Sequence, residues 1–243
     1  MKLLPKIIIF GFGVLAFLPF LAPVFMHFGL TGPAEFIYTI FVPFCHQKAS
    51  RSLHLFDYQV AFCARDTFIY FTLFLASIFS YVFRLKTIKI KYLILFSIPI
   101  ALDGGIQIVT QIIALQAGHP TDYLESTNLR RMITGALFGS AVGFFIFPML
   151  FQDVFESLKK EKNLAELKFK GILLKVSKLS TWKFIFINLA ISFLFYLVLS
   201  LAWFFTSDVY KPSGIIDNEH RIPGLNYEIE GRGDHAAFLF GNK

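Results

Sequence analysis

Five stretches of this 243-residue chain are apolar for long enough to cross a bilayer, and short polar runs separate them. About 20 mostly apolar residues are needed to traverse roughly 30 Å of hydrocarbon at about 1.5 Å per helical residue. The stretches run from Ile7 to Leu30, Thr67 to Phe83, Tyr92 to Gln116, Met132 to Phe151 and Phe184 to Phe205. Pro19 and Pro23 predict a kink in the first, since proline removes a backbone donor and crowds the preceding turn. Another apolar run, Phe36 to Phe44, is too short to cross and predicts an interfacial or re-entrant helix. Lys2 and Lys6 ahead of the first stretch are also how a secretory signal begins. That run is long, however, and Ala22 is followed by Pro23 with no small-x-small cleavage site, so it reads as a retained anchor.

The expected fold is therefore all-α: a polytopic membrane helical bundle of about five transmembrane helices plus the short helix. An anchor (1–33) leads into a core (34–151), a basic loop (152–183), a fifth membrane helix (184–205) and a polar, turn-rich tail (206–243). No repeat of roughly 20–50 residues is visible, so no internal duplication is expected.

Composition removes the soluble alternative. Apolar residues make up 56% and Asp, Glu, Lys and Arg only 16%, against roughly 25% charged in soluble chains. With 32 phenylalanines among them, that much hydrocarbon cannot be hidden inside a 27.8 kDa globule. Charge then suggests an orientation. Fourteen of the 23 lysines and arginines fall in the segments that share a side with the N-terminus. The positive-inside rule puts that side in the cytoplasm of a cell-membrane protein and the C-terminus outside, although Arg130 and Arg131 run against it. The net charge of +7 lies mostly in 152–183, where lysines alternate with Phe169, Ile172, Leu173 and Val176. A basic amphipathic segment on anionic lipid accounts for it without nucleic acid. The partners expected are membrane lipids. The Arg232-Gly233-Asp234 triplet is taken as a chance occurrence.

Polar residues inside spans carry the chemical information. Asp103 falls about 11 residues into the third stretch, near the expected midplane. An unpaired carboxylate there costs at least about 2.5–3.5 kcal/mol, so it should face the bundle interior. Gln107 and Gln111 follow at helical spacing on the same face, pointing toward the outer surface. Gly104 and Gly105 leave room for close approach. Gly135, Gly139 and Gly143 form a small-residue ladder for helix packing. Asn188, Ser192, Tyr196 and Ser200 predict interhelical hydrogen bonds.

Two interhelical segments concentrate reactive groups. Glu125, Asn128 and Arg130 cluster before the fourth span, beyond what helix capping by Ser126 or Thr127 explains. Cys45-His46-Gln47, Arg51-Ser52, His54 and Cys63-Ala64-Arg65-Asp66 lie between the first and second. Cysteine, histidine and carboxylate are ligands zinc accepts. A disulfide between Cys45 and Cys63, worth about 3 kcal/mol in a chain-entropy account, and two free thiols also remain open at this point. The charge-derived topology gathers both segments and the outer end of the Asp103 stripe on one side, as a single outer pocket.

These motifs resemble those of an uncharacterised multi-pass membrane family catalogued as domain of unknown function 2085. The set is Cys45-His46-Gln47 with Arg51-Ser52, Cys63-Ala64-Arg65, Ala101-Leu102-Asp103-Gly104 with Gln107, Glu125-Ser126-Thr127-Asn128-Leu129-Arg130, and Thr134-Gly135. The resemblance covers about Phe36 to Pro148. It implies a three-cysteine, one-histidine metal site, but this chain has Asp66 and Phe68 where the family pattern has a further cysteine and a glycine. Cys45, His46, Cys63 and Asp66 are then the candidate ligands for zinc or another divalent ion. Asp103 and Glu125 are the candidate general bases. Gln47, Arg51, Arg65, Gln107, Asn128 and Arg130 are the candidate contacts to an anionic, lipid-like ligand. The competing readings are a small transport or ion-binding bundle, and a thiol-redox protein.

Overall fold

The computed structural model describes residues 3–45, 47, 51–117, 126–160 and 180–206. His46, Glu125, most of the basic loop and the tail with its Arg-Gly-Asp triplet lie outside the described residues, as does the side chain of Gln111. Among the described residues, five helices or helix pairs are long and apolar enough to cross a membrane. In chain order, the elements are α1 (Leu4–Phe17), a 3-10 turn (Leu18–Phe20), α2 (Leu21–His27), α3 (Thr31–Phe41), β1 (Ser52–Leu55) and β2 (Tyr58–Cys63). Then come α4 (Ala64–Phe83), α5 (Ile90–Ala117), α6 (Asn128–Lys160) and α7 (Thr181–Thr206). The expected kink is the 3-10 turn, with Pro19 inside it. The short apolar run becomes α3, which buries Ala34, Ile37, Tyr38 and Phe41.

The spans alternate in direction. α1 runs against α4, with Gly13 beside Phe74 and Phe17 edge-on to Phe71. α4 and α6 run together, because Gly135, Gly139 and Gly143 of α6 meet Arg65, Ile69 and Ala76 of α4 in step. α7 runs back, from Phe184 against Phe79 and Phe83 to Trp203 stacked on His54. The ends of α2, β2 and α7 and the starts of α4 and α6 therefore share one end of the bundle. Lys6, Arg84, Lys86, Lys89, Lys91 and Lys183 sit toward the other.

Phenylalanines fill the space between spans. Phe144, Phe147, Phe151 and Phe184 form one buried cluster with Leu73 and Ala76. A polar seam crosses the greasy interior where Asn188 donates to the Thr72 carbonyl at 3.2 Å and to Ser140 Oγ at 3.3 Å. Ser192 Oγ donates to the Asn188 carbonyl at 2.8 Å, a bond within α7 rather than the interhelical one expected of it. Interhelical polar contacts in lipid are worth about 0.6 kcal/mol on average and at most about 1.7. Asn188→Leu is accordingly expected to lower stability by about 1 kcal/mol in a detergent-unfolding titration, with the fold retained.

One element differs from the all-α expectation. Residues 52–63 form an antiparallel hairpin, with Ser52 opposite Cys63, His54 opposite Gln59 and an irregularity between the two pairs. Phe56 and Asp57 at its turn both have positive φ (54° and 66°), the backbone that a two-residue hairpin turn requires. The strain of a bulky residue there is offset by contacts. The Phe56 ring stacks on His27 at 4.3 Å, and its N–H donates to Thr206 Oγ1 at 3.2 Å. The hairpin thereby bridges α2 and α7 across one end of the bundle.

Candidate metal and anion pocket

Cys63 ends β2 and caps α4. Its backbone is extended and its sulfur accepts from the Asp66 N–H at 3.5 Å. The same thiol donates to Asp66 Oδ2 at 3.1 Å. Cys45, just past α3, is buried and accepts from the backbone N–H of Cys63 at 3.2 Å and of Gln47 at 3.5 Å. Both cysteines are free. The Cys63 thiol against it and then its burial push the Cys45 thiol far above its ordinary range, so binding a cation at this sulfur entails losing its proton.

The two sulfurs and an Asp66 oxygen lie within 4.8 Å of one another. Zinc bound at about 2.0–2.3 Å by tetrahedral ligands spaces those ligands by roughly 3–4 Å. Two soft thiolates and one carboxylate at this separation fit such an ion, and the group could hold a metal. Asp66 is thus within ligand reach of both thiols.

Cys45, Cys63 and Asp66 form one wall of a cavity of about 260 Å³. Gln47, Arg51, Arg65, Gln107 and Arg131 form the others, with Phe44 at the rim. Gln47 is held rigidly. Its Nε2 donates to the Tyr38 carbonyl at 2.8 Å, its own carbonyl accepts from Gln59 at 3.0 Å, and Tyr38 Oη donates to the Gln59 carbonyl at 2.5 Å. That ring of bonds joins α3 to β2 and holds Gln47 at a positive φ of 48°.

Behind the cavity, Asp103 of α5 is 6% exposed and ion-paired with Arg65. Arg130 Nη2 approaches Oδ1 at 3.4 Å, and Gln107 Nε2 donates at 3.4 Å to Oδ2, the oxygen that Arg65 engages. Gly104 leaves the Arg65 guanidinium room to lie against α5, where a Cβ would be 3.4 Å from it. Asp103 thus meets side chains carried by the first turns of α4 and α6, part-way along the 28-residue α5.

Of the residues singled out from sequence, Cys45, Gln47, Arg51, Cys63, Arg65, Asp66 and Gln107 meet around this cavity. Asn128 stands one bond behind it, donating to the Ser52 carbonyl at 3.5 Å and accepting from Arg131 at 3.5 Å. Arg130 is 62% exposed and reaches the site only through Asp103. The buried cation on the cavity wall is Arg131, 1% exposed. Its signal was present in the sequence: Arg131 precedes Gly135, Gly139 and Gly143 at four-residue spacing and so shares their face toward α4.

A multi-pass membrane protein with a thiol-carboxylate cluster beside a cationic cavity is the class that this fold and site define. A family model described as "Predicted membrane protein (DUF2085)" matches residues 45–145, from the first cysteine into α6. An uncharacterized protein of Methanocaldococcus jannaschii is 33% identical over 168 residues, which are 65% of this chain and 100% of that one. The chain belongs to this family of membrane proteins. No solved structure matches it.

Proposed function

We propose that the protein uses a zinc-type ion held by Cys45, Cys63 and Asp66 to bind, at the outer face of the cell membrane, the anionic group of a lipid-like ligand. The supporting observation is that the three donor atoms, within 4.8 Å of one another, open on the same cavity as Arg51, Arg65 and Arg131. His46, next to Cys45 in sequence, is assigned the fourth ligand position. A bound ion would supply Lewis-acid character. The chain's own residues do the rest. Arg51 and Arg131 face the anion, with Gln47 and Gln107 as orienting contacts, while Asn128 braces Arg131. Asp103, already engaged by two guanidinium groups, holds Arg65 and Arg130 in place, and Glu125 is assigned the general base. The outward orientation is supported by the lysines and arginines gathered at the opposite end of the bundle.

A polar path through the membrane is less well supported. The Asp103 and Gln107 stripe runs toward the cavity end, while Phe144, Phe147 and Phe151 pack an apolar cluster in the interior. The test is metal analysis of protein purified without chelators. About one zinc per chain is expected, falling at least tenfold in Cys63→Ser, because removing a thiolate ligand abolishes tight binding. Metal-free wild-type protein with unimpaired thermal stability would refute the reading.

A further inference from the structure

Two buried polar atoms on the cavity's lining residues have no hydrogen-bond partner among the described residues: Gln47 Oε1, an acceptor, and Arg65 Nε, a donor. Gln47 is 1% exposed and fixed by its backbone carbonyl and its Nε2, so it cannot turn the orphan oxygen out to solvent. A buried polar atom left unmade costs about 1–3 kcal/mol, and two of them on the lining residues of one cavity point to a ligand that completes the set. Such a ligand must offer an anionic or carbonyl oxygen to Arg65 Nε and an O–H or N–H to Gln47 Oε1. The remaining walls carry Arg51 and Arg131, which favour the anionic oxygen. The volume, about 260 Å³, lies below the ~300–1,000 Å³ typical of small-molecule sites and suits a compact group.

We infer that the cavity selects a phosphoester that carries a hydroxyl beside it, with Gln47 reading the hydroxyl and Arg65 Nε a phosphoryl oxygen. This rests on the pocket proposed above, and adds the ligand's chemical class and the two residues that specify it. Glycerol phosphate chemistry of this kind could arrive as a lipid headgroup or as a soluble ester, and the experiment separates the two.

Full-length protein is reconstituted in phosphatidylcholine nanodiscs containing either phosphatidylglycerol or phosphatidylethanol. These two carry the same charge and differ in the hydroxyls. Retained lipid is counted by native mass spectrometry, and metal content is measured on the same sample. The hydroxylated lipid is expected to be retained at least about tenfold better. Gln47→Leu should erase that preference, and Arg65→Lys, which keeps the charge facing Asp103, should weaken both lipids alike. Soluble glycerol 3-phosphate competing as well as the lipid identifies a free ester as the source and still supports the class. Equal retention of the two lipids by metal-loaded protein, as expected if water alone fills the cavity, overturns this inference while leaving the metal reading intact. So does a preference that survives in Gln47→Leu protein of unchanged stability. The preference seen in metal-free protein supports the inference and removes the metal reading alone.

Discussion

Gly139→Leu should be the most damaging single substitution in the membrane interior. At this position even a Cβ would stand 2.6 Å from the Ile69 carbonyl oxygen, which is backbone of α4 and has no rotamer to give. Gly135 and Gly143 are similarly constrained, with a Cβ 2.5 Å from the Arg65 carbonyl and 2.6 Å from the Ala76 Cβ respectively. Overpacking a well-filled interface costs roughly 1–3 kcal/mol, and more when backbone must move. A loss of about 3 kcal/mol or more is expected, read as a fall in the detergent-unfolding midpoint and in the yield of folded protein. Because α4 and α6 carry Arg65, Asp66 and Arg131 in their first turns, metal content should fall with it. Gly105→Ala is the control, since nothing lies within 4 Å of its Cβ; relief of glycine's backbone entropy there should leave stability unchanged or raised by up to about 1 kcal/mol. Equal behaviour of the two variants would mean that α4 and α6 do not pack through these glycines.

The spans and that ladder were legible because a bilayer permits few solutions. A continuous apolar run of some 20 residues has to be helical, and closely packed helices require small residues at their crossing. The gathering of Cys63, Arg65 and Asp103 was legible for a related reason, since each lies at the start of a span or within one. The hairpin was not legible. Its turn is Phe56-Asp57, without the glycine or asparagine that usually marks a positive-φ pair, and its conformation is stabilised by His27 and Thr206, 29 residues before it and 150 after. Arg130 drew attention for its charge beside Asn128, whereas the helical phase of the glycines points to Arg131.

Arg65→Met is the second change with a large expected effect, and it tests whether Asp103 depends on its partner. Arg65 is 19% exposed and Asp103 6% exposed, and the carboxylate's other contacts are Arg130 at 3.4 Å and Gln107 at 3.4 Å. Breaking a buried pair by removing one partner typically costs about 3–5 kcal/mol, because the remaining charge is stranded. The partial exposure of Arg65 and the residual Arg130 contact put the expectation near about 3 kcal/mol. Asp103→Leu alone should cost less, since the arginine it releases can extend to the polar end of the bundle. Combining the two removes the stranded charge, so Arg65→Met with Asp103→Leu should be more stable than Arg65→Met alone by at least about 1 kcal/mol, a coupling typical of residues in one network. Unfolding titrations of the four proteins give that coupling directly. Zinc content should stay near wild type in the double variant, because neither residue belongs to the thiol-carboxylate cluster. Strict additivity of the two losses would instead mean that Arg65 and Asp103 act independently, and that α5 is held to the pocket by packing against α6 alone.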